Sequence, residues 1–144
     1  WDSSALEELL DVGEPLGLTR GEPLFFEGMA SGAAYITLHG ALEVSSPAGV
    51  GLRRLAVLGP GQILGYRSVI EDSPRKVRIV AREDALVLRL PANHFMNLWR
   101  GPHAAGRLLR EAVRLALLGA LQKTTQELAR RANLARILAN QSMR

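Results

Sequence analysis

The sequence predicts a mainly β protein, a jelly-roll barrel with short flanking helices, followed by one long helix. Between about residue 15 and residue 90 the apolar residues fall in short stretches, and a glycine interrupts the chain every eight to twelve residues. Many short strands joined by tight turns are typical of sandwiches and jelly rolls, whereas a parallel sheet needs a long crossover between strands. The barrel is therefore the favoured architecture.

Composition supports one globular domain with an appendage. The chain has 144 residues, of which 47% are hydrophobic and 22% are charged, as in an ordinary soluble protein with a buried core. It contains no cysteine, which excludes a disulfide, a thiolate zinc site or a catalytic cysteine within this sequence. The longest apolar run, residues 115–121, is too short to span a bilayer. We expect a cytoplasmic protein that makes no membrane contact.

Charge is distributed unevenly along the chain. Residues 104–144 carry eight Lys and Arg against two Glu, whereas residues 1–103 carry ten basic against twelve acidic side chains. A basic tail behind a nearly neutral body favours a partner of opposite sign, such as a nucleic acid. A solvated helix surface explains the same pattern and stays open.

The N-terminal elements follow from capping and turn residues. Ser3 or Ser4 can cap a helix over residues 5–10, with Glu7 close to the capping-box position. From about residue 15 strands alternate with turns, one of them the hairpin turn at residues 46–49. The predicted strands are residues 16–19, 23–28, 34–38, 41–44, 52–58, 76–81 and 86–90.

Two of the predicted strands show an alternating pattern. Within residues 76–81 apolar residues alternate with Lys and Arg, which is typical of a half-buried strand. Leu86, Leu88 and Leu90 repeat this pattern. We expect these three leucines to be buried and Arg89 to point outward.

The C-terminal third predicts helices. A short helix over residues 94–99 should pack on the barrel and end at the Arg-Gly-Pro sequence of residues 100–102. A long helix then begins near His103. These patterns predict a barrel domain over residues 1–100 and, over residues 101–144, the long helix and the start of a linker to an output domain not in this chain.

The long helix predicts a homodimer. Residues 115–121 are apolar on every side of a helix, so they must be covered on more than one side. The barrel can cover one side, and a second copy of the same helix is the natural cover for the other. We expect the dimer contact to lie within residues 103–125.

Residues 59–77 predict a pocket for a small anion. They read as a strand, a glycine turn at Gly65, a short helical turn and a loop that delivers Arg75 to the start of the next strand. The first N–H groups after such a turn, here in residues 65–68, attract anions. A guanidinium can bind a phosphate through two parallel bonds.

Each anion-binding residue also has a structural interpretation. Arg75 could instead pair with Glu71 or Asp72 and hold the loop shut. Ser68 could contribute a hydroxyl to the anion or act as a helix cap, and the two roles are compatible.

The same segment resembles the phosphate-binding cassette of cyclic-nucleotide-binding domains, written Phe-Gly-Glu…Pro-Arg-x-Ala. Gly65 and the Pro74-Arg75 pair stand at the family's spacing. Glycine motifs elsewhere fall in the family's order: Arg20-Gly21-Glu22, Glu27-Gly28, Leu38-His39-Gly40 and Leu58-Gly59-Pro60-Gly61. The resemblance covers about residues 5–98 and implies the sensor half of a regulator of the Crp/Fnr type.

The resemblance also implies roles for single residues. Arg75 would bind the cyclic phosphate, with cyclic AMP or cyclic GMP as the effector. Tyr66 stands where the family has a glutamate that accepts bonds from the ribose 2′-hydroxyl. Thr124 and Thr125 resemble a hydroxyl pair that touches the base in cyclic-AMP-binding regulators, although two surface threonines would look the same. The predicted ligand-binding residues are Gly65, Tyr66, Arg67, Ser68, Arg75, Lys76, Thr124 and Thr125.

Three functional readings remain open from the sequence. The first is a sensor of a small anionic effector that signals through the helix pair and reaches DNA only through the output domain. The second is a degenerate barrel without a ligand, which serves as a dimerisation or protein-docking module. The third, a metal-dependent cupin enzyme, needs clustered histidines, but His39, His94 and His103 are scattered, so we expect neither a metal site nor catalysis.

Overall fold

The computed structural model describes residues 3–47 and 51–142. The chain divides into two compact units, Trp1–Ala112 and Val113–Arg144. In chain order the elements are α1 (Ser3–Val12), β1 (Glu14–Leu18), β2 (Pro23–Phe25), β3 (Ala33–His39), β4 (Leu42–Pro47), β5 (Leu52–Leu58), β6 (Ile63–Leu64), α2 (Tyr66–Glu71), β7 (Arg78–Ala81), β8 (Ala85–Pro91), α3 (Ala92–Arg100) and α4 (Ala104–Ser142).

The eight strands form two four-stranded antiparallel sheets, which confirms the predicted β architecture. One sheet has the order β1-β8-β3-β6 and the other the order β2-β7-β4-β5. Apart from the pair β4 and β5, neighbouring strands in each sheet are not consecutive in sequence, so the chain crosses repeatedly from one sheet to the other. The predicted hairpin joins β4 to β5, whose Pro47 and Leu52 pair, but part of its turn lies outside the described residues.

A hydrophobic core fills the space between the sheets. Tyr35, Leu64 and Val87 contribute from the first sheet, and Phe25 and Ile79 from the second. Along each strand these side chains alternate with residues on the opposite face, as the strand period of two requires, and in β3 that opposite face is buried too, with Ile36 only 1% exposed. The predicted alternation in residues 76–81 is confirmed, because Ile79 and Ala81 are buried.

The prediction for residues 86–90 is partly wrong. Leu88 and Leu90 are buried, but Leu86 remains 37% exposed, and the intervening Val87 is fully buried. The reason is that β8 is covered on both faces. Val87 faces the core between the sheets. Leu88 lies on the opposite face and packs closely on Gly13, because a Cβ added to Gly13 would lie only 2.7 Å from Leu88 Cδ1.

Arg89 also departs from the prediction, because it is half-buried rather than outward-facing. It lies opposite Glu14 in the neighbouring strand β1, and its Nη1 donates a hydrogen bond to Glu14 Oε2 over 3.1 Å. The carboxylate on the edge strand therefore holds the guanidinium against the sheet.

Short helices cover the first sheet. α1 and α3 both contact β8, and they bury Leu9 and Phe95. α1 begins earlier than predicted and already contains Ser3 and Ser4, so its capping position lies outside the described residues. The start of α4 belongs to the same unit, where Glu8 Oε2 accepts a hydrogen bond from the Ala105 N–H over 3.3 Å.

In the second unit α4 continues as one helix to Ser142. Its leucines are exposed in the single chain, among them Leu117 and Leu121, which are 54% and 62% exposed. The described residues contain no helix that is long and apolar enough to cross a membrane.

Candidate functional site

The candidate site is built around the turn between β6 and α2. Gly65 occupies this turn with φ +71°, a conformation that favours glycine. Space imposes the same requirement, because a Cβ on Gly65 would lie 2.7 Å from Arg75 Nη1. The turn therefore needs glycine for its backbone and for the close approach of the arginine.

Two hydrogen bonds hold the main chain of Arg75 in place. Its N–H donates to the Met29 carbonyl over 2.8 Å, and its carbonyl accepts from the Gly28 N–H over 2.8 Å. Arg75 consequently lies in the loop that precedes β7, not at the start of that strand as predicted. The turn between β2 and β3 determines where its side chain begins.

The Arg75 guanidinium is held by neutral oxygen acceptors. The residue is only 5% exposed. Its Nη1 donates to the Gly65 carbonyl over 2.7 Å and to Ser68 Oγ over 2.8 Å. Its Nη2 donates to the Ala33 carbonyl. Three of the five N–H donors of the guanidinium are thus committed to acceptors from β3, the Gly65 turn and α2.

Two aromatic rings also contact the guanidinium. The Arg75 Cζ lies 4.1 Å from the centre of the Phe25 ring and 5.9 Å from that of Tyr35. Both distances allow cation–π attraction, which stabilises a cation without neutralising it. Phe25 and Tyr35 therefore stabilise the charge of Arg75 without pairing it with a carboxylate.

The positive charge of Arg75 has no carboxylate partner among residues 3–47 and 51–142. The predicted alternative, an ion pair with Glu71 or Asp72, is therefore wrong. Burial lowers the pKa of the Arg75 guanidinium from its usual range, and Tyr35 opposes this effect. Its Nε is buried and finds no acceptor in the described part of the chain. A desolvated cation with an unused donor is a suitable place for an anion.

Arg67 and Lys76, both predicted to bind the ligand, are hydrogen-bonded to Glu71 in the chain without a ligand. Arg67 Nε donates to Glu71 Oε1 over 3.3 Å, and Lys76 Nζ donates to Glu71 Oε2 over 3.2 Å. The hydrogen bonds from Lys76 and then Arg67 lower the pKa of the Glu71 carboxyl group. We call these three residues the outer ion cluster; all three are exposed.

Ser68 and Tyr66 occupy different parts of α2. Ser68 is buried at its third position and contacts Arg75 directly, so it lies past the capping position that the sequence allowed. Tyr66 begins the helix and is half-buried. Burial raises the pKa of its phenol, partly offset by the charge of Arg67, so the phenol is neutral at physiological pH.

The geometry and the sequence comparisons lead to the same family. The sequence model for the "Cyclic nucleotide-binding domain" matches residues 16–101, a range that contains the complete Gly65–Arg75 arrangement. The chain belongs to this family. The predicted identification is thereby confirmed, including the likeness to Crp-type regulators.

Relatives of known name support this assignment. The chain is 32% identical over 82 residues to the "Cyclic AMP receptor protein" of Thermus thermophilus, an alignment that covers 56% of this chain and 38% of that protein. The crystal structure of the Thermus thermophilus catabolite activator protein superimposes with a TM-score of 0.72 at 25% identity, covering 88% of this chain and 58% of that one. The chain thus spans less than two thirds of these relatives.

One structural relative is an enzyme. A cAMP-binding acyltransferase from Mycobacterium smegmatis superimposes with a TM-score of 0.65 at 28% identity, covering 81% of this chain and 37% of that one. The fold of this chain is therefore shared by a protein named as an activator and by one named as an acyltransferase.

Thr124 and Thr125 lie on α4 in the second unit. Their hydroxyls donate to the carbonyls of Ala120 and Leu121, over 3.0 and 2.9 Å. Such bonds to the preceding helical turn are common for threonine. In the single chain both hydroxyls are therefore committed to the helix.

Sequence reasoning missed the residues that support Arg75. Phe25 and Ala33 are distant from Arg75 in sequence, and Ala33 contributes a main-chain carbonyl, which no residue type reveals. The adjacent aromatic residues Phe25 and Phe26 were the only available signal. The burial patterns of their strand would be needed to tell which one faces inward.

Proposed function

We propose that this chain is the effector-sensing part of a Crp/Fnr-like transcription regulator and that Arg75 binds the phosphate of a small anionic ligand. The observation that carries the proposal is the buried, unneutralised guanidinium with its unused Nε donor. Desolvation of an unpaired charge is costly, and an anion restores the lost interaction energy. The free energy lost by burying the unpaired guanidinium is thus recovered when an anion binds.

Cyclic AMP is the first ligand to test, with cyclic GMP beside it. The names of two relatives refer to cyclic AMP, which supports the choice but does not extend their activity to this chain. Tyr66 replaces the glutamate that contacts the ribose, so the phosphate contact through Arg75 carries more of the binding. A related effector with a different sugar or base fits the same proposal.

Calorimetric titration tests this step. We expect micromolar binding of cyclic AMP or cyclic GMP, and an increase in Kd of at least about tenfold for Arg75→Ala, because bonds from a charged donor contribute about 1.5–3 kcal/mol. Arg82→Ala is the matched control, since Arg82 is exposed on the same unit and loses the same charge. Thermal unfolding of each variant confirms that it folds.

The result that would contradict the sensor is absence of binding by the wild-type chain to both nucleotides. That result would favour the degenerate barrel, in which the fold serves only for dimerisation or docking. The contact expected for a self-filled pocket, a hydrogen bond between Arg75 and the Tyr66 hydroxyl, does not occur; Arg75 donates to Gly65, Ser68 and Ala33 instead.

Transmission would proceed through a homodimer formed by residues 103–125. The exposed leucines of α4 supply the surface, each contributing about 1.5–3 kcal/mol when buried. Association costs about 4–15 kcal/mol, so three or four leucines form a marginal dimer. A ligand can bias such a dimer if its affinity differs between two helix arrangements.

The dimer is tested by the molar mass in solution. Leu121→Glu places a charge on an exposed leucine of the proposed seam and is expected to give monomers. Leu10→Glu is the control, because Leu10 on α1 is 56% exposed, close to the 62% of Leu121. Equal masses for both variants and the wild type would exclude the seam.

The remaining parts of the proposal concern the whole regulator. DNA would be bound only by an output domain attached to this segment, in the cytoplasm, and the barrel itself would regulate rather than catalyse. The regulatory relatives support this role. The basic residues of α4 fit a position close to DNA without requiring it.

A further inference from the structure

Ser68 holds the Arg75 guanidinium in position. Resting on the proposed function, we infer that the Ser68 side chain is a positioning group that acts through Arg75. This role differs from the direct hydroxyl ligand that the sequence suggested, and it follows from the hydrogen bond that the hydroxyl accepts from Arg75 Nη1.

The Ser68 hydroxyl acts as an acceptor for the guanidinium. A serine hydroxyl has one proton to donate and two lone pairs that accept. Ser68 Oγ accepts a hydrogen bond from Arg75 Nη1 over 2.8 Å, whereas its distance to the Gly65 carbonyl oxygen is 3.4 Å. The short contact to Arg75 is therefore the main interaction of this hydroxyl.

Ser68 is itself firmly held. It is 7% exposed. Its carbonyl accepts from Ser31 Oγ over 3.1 Å and from the Ser73 N–H over 2.9 Å. Contacts from the β2–β3 turn and from the end of α2 therefore fix the residue that in turn fixes Arg75.

The orientation of the guanidinium depends on these contacts. Phe25 covers one face, Gly65 and Ser68 receive both Nη1 hydrogens, and Ala33 receives one from Nη2. The donors that remain are Nε–H and the second Nη2 hydrogen. Loss of the Ser68 hydroxyl would leave Nη1 with one acceptor, so the plane could rotate. A two-bond contact loses affinity when its donors are no longer held in place.

A double-mutant cycle tests the inference with cyclic AMP and inorganic phosphate as probes. The chains are wild type, Ser68→Ala, Arg75→Lys and the double variant. In the presence of Arg75 we expect Ser68→Ala to raise Kd about 3- to 10-fold, the usual range for one hydrogen bond to a charged group. In the Arg75→Lys background the same change should alter Kd less than about twofold, because the fork to be positioned is absent.

Two further variants separate the hydroxyl from packing. Ser68→Cys keeps nearly the same volume but accepts hydrogen bonds weakly, so its Kd should follow that of Ser68→Ala. Ser31→Ala removes a bond to the Ser68 carbonyl without touching the guanidinium, and it should affect thermal stability more than Kd.

The outcomes distinguish this inference from the proposed function. An equal increase in Kd in both backgrounds, or full affinity in Ser68→Cys or Ser68→Ala, overturns the positioning role while Arg75-dependent binding stands. Failure of the wild-type chain to bind cyclic AMP, cyclic GMP and phosphate overturns both.

Discussion

Arg75 and the outer ion cluster lie in the same segment, formed by α2 and the loop after it, but have opposite environments. Arg75 is buried, rests on aromatic rings and has no carboxylate partner in the part of the chain that the structure describes. Arg67 and Lys76 are exposed and share the carboxylate of Glu71. Exposed ion pairs add little stability, because water already solvates the charges. The comparison shows that a cation becomes a candidate binding group when the fold removes water without supplying an anion.

Gly65→Ala should have the largest effect on the inner site. Two penalties combine, a non-glycine residue at φ +71° and a Cβ 2.7 Å from Arg75 Nη1. Strain of this kind costs about 1–3 kcal/mol, and the displaced arginine adds to it. Chemical denaturation should show a loss of more than about 2 kcal/mol together with loss of anion binding.

Gly21→Ala provides the control for this prediction. Gly21 has φ +86°, but a Cβ there meets nothing within 4 Å. It therefore incurs the backbone strain alone and should leave binding unchanged. An equal loss of stability in the two variants would show that the approach of Arg75 to Gly65 has no energetic consequence.

Phe25→Leu should have the next largest effect. The change removes the ring that lies 4.1 Å from the buried guanidinium but keeps an apolar side chain, so we expect a loss of about 1–3 kcal/mol from cation–π attraction and packing. Phe26→Leu is the matched comparison, since Phe26 is 41% exposed and lies 5.2 Å from the half-buried Arg78. A larger loss of unfolding free energy for Phe26→Leu than for Phe25→Leu would contradict the stabilising contact between the Phe25 ring and the Arg75 guanidinium.

Tyr66→Glu should sharpen the ligand assignment. It restores the carboxylate that the family uses for the ribose, and one bond to a charged acceptor can change Kd about tenfold. Calorimetry should show tighter cyclic AMP binding for this variant but not for Tyr66→Gln. Weaker cyclic AMP binding by both variants than by the wild type would indicate that Tyr66 itself contacts the ligand.

Glu71→Gln should have the smallest effect, because it changes only the exposed cluster. The pKa of Glu71 is lowered from 4.5 in the folded chain, so its contribution to stability is present above that value and is lost as pH falls through the folded pKa. Melting temperatures of Glu71→Gln and wild type should differ slightly near pH 7 and converge in acid. A gap that widens in acid would contradict the assigned sign.

Much of the fold could be predicted from local pattern. The glycines expected at sharp turns have positive φ where the cassette resemblance placed them: Gly21, Gly28, Gly40, Gly61 and Gly65. Strand alternation located the buried residues of β7 because one face of that strand meets the core. The same rule was wrong for Leu86, since β8 has cover on both faces and periodicity alone cannot show where that cover ends.

The candidate site was predictable in its centre but not in its surroundings. Arg75 and Gly65 stood out because a glycine turn followed by an arginine at this spacing indicates an anion-binding pocket and matches the phosphate-binding cassette. The roles of Arg67 and Lys76 were not predictable, because residue type does not reveal whether a cation faces a carboxylate or the interior. Thr124 and Thr125 stay a prediction for the ligand-bound dimer.

The barrel, the long helix and an arginine after a glycine turn could all be predicted from the chain alone. These features depend on spacing along the chain, which short-range sterics and burial period translate directly into structure. The burial of Arg75 without a carboxylate partner among the described residues, and its hydrogen bond to Ser68 Oγ, arise from tertiary contacts. Those facts depend on Ala33 and Phe25, which approach Arg75 only because β2 and β3 fold against the loop. Desolvation is a property of that assembled surrounding and not of any single residue.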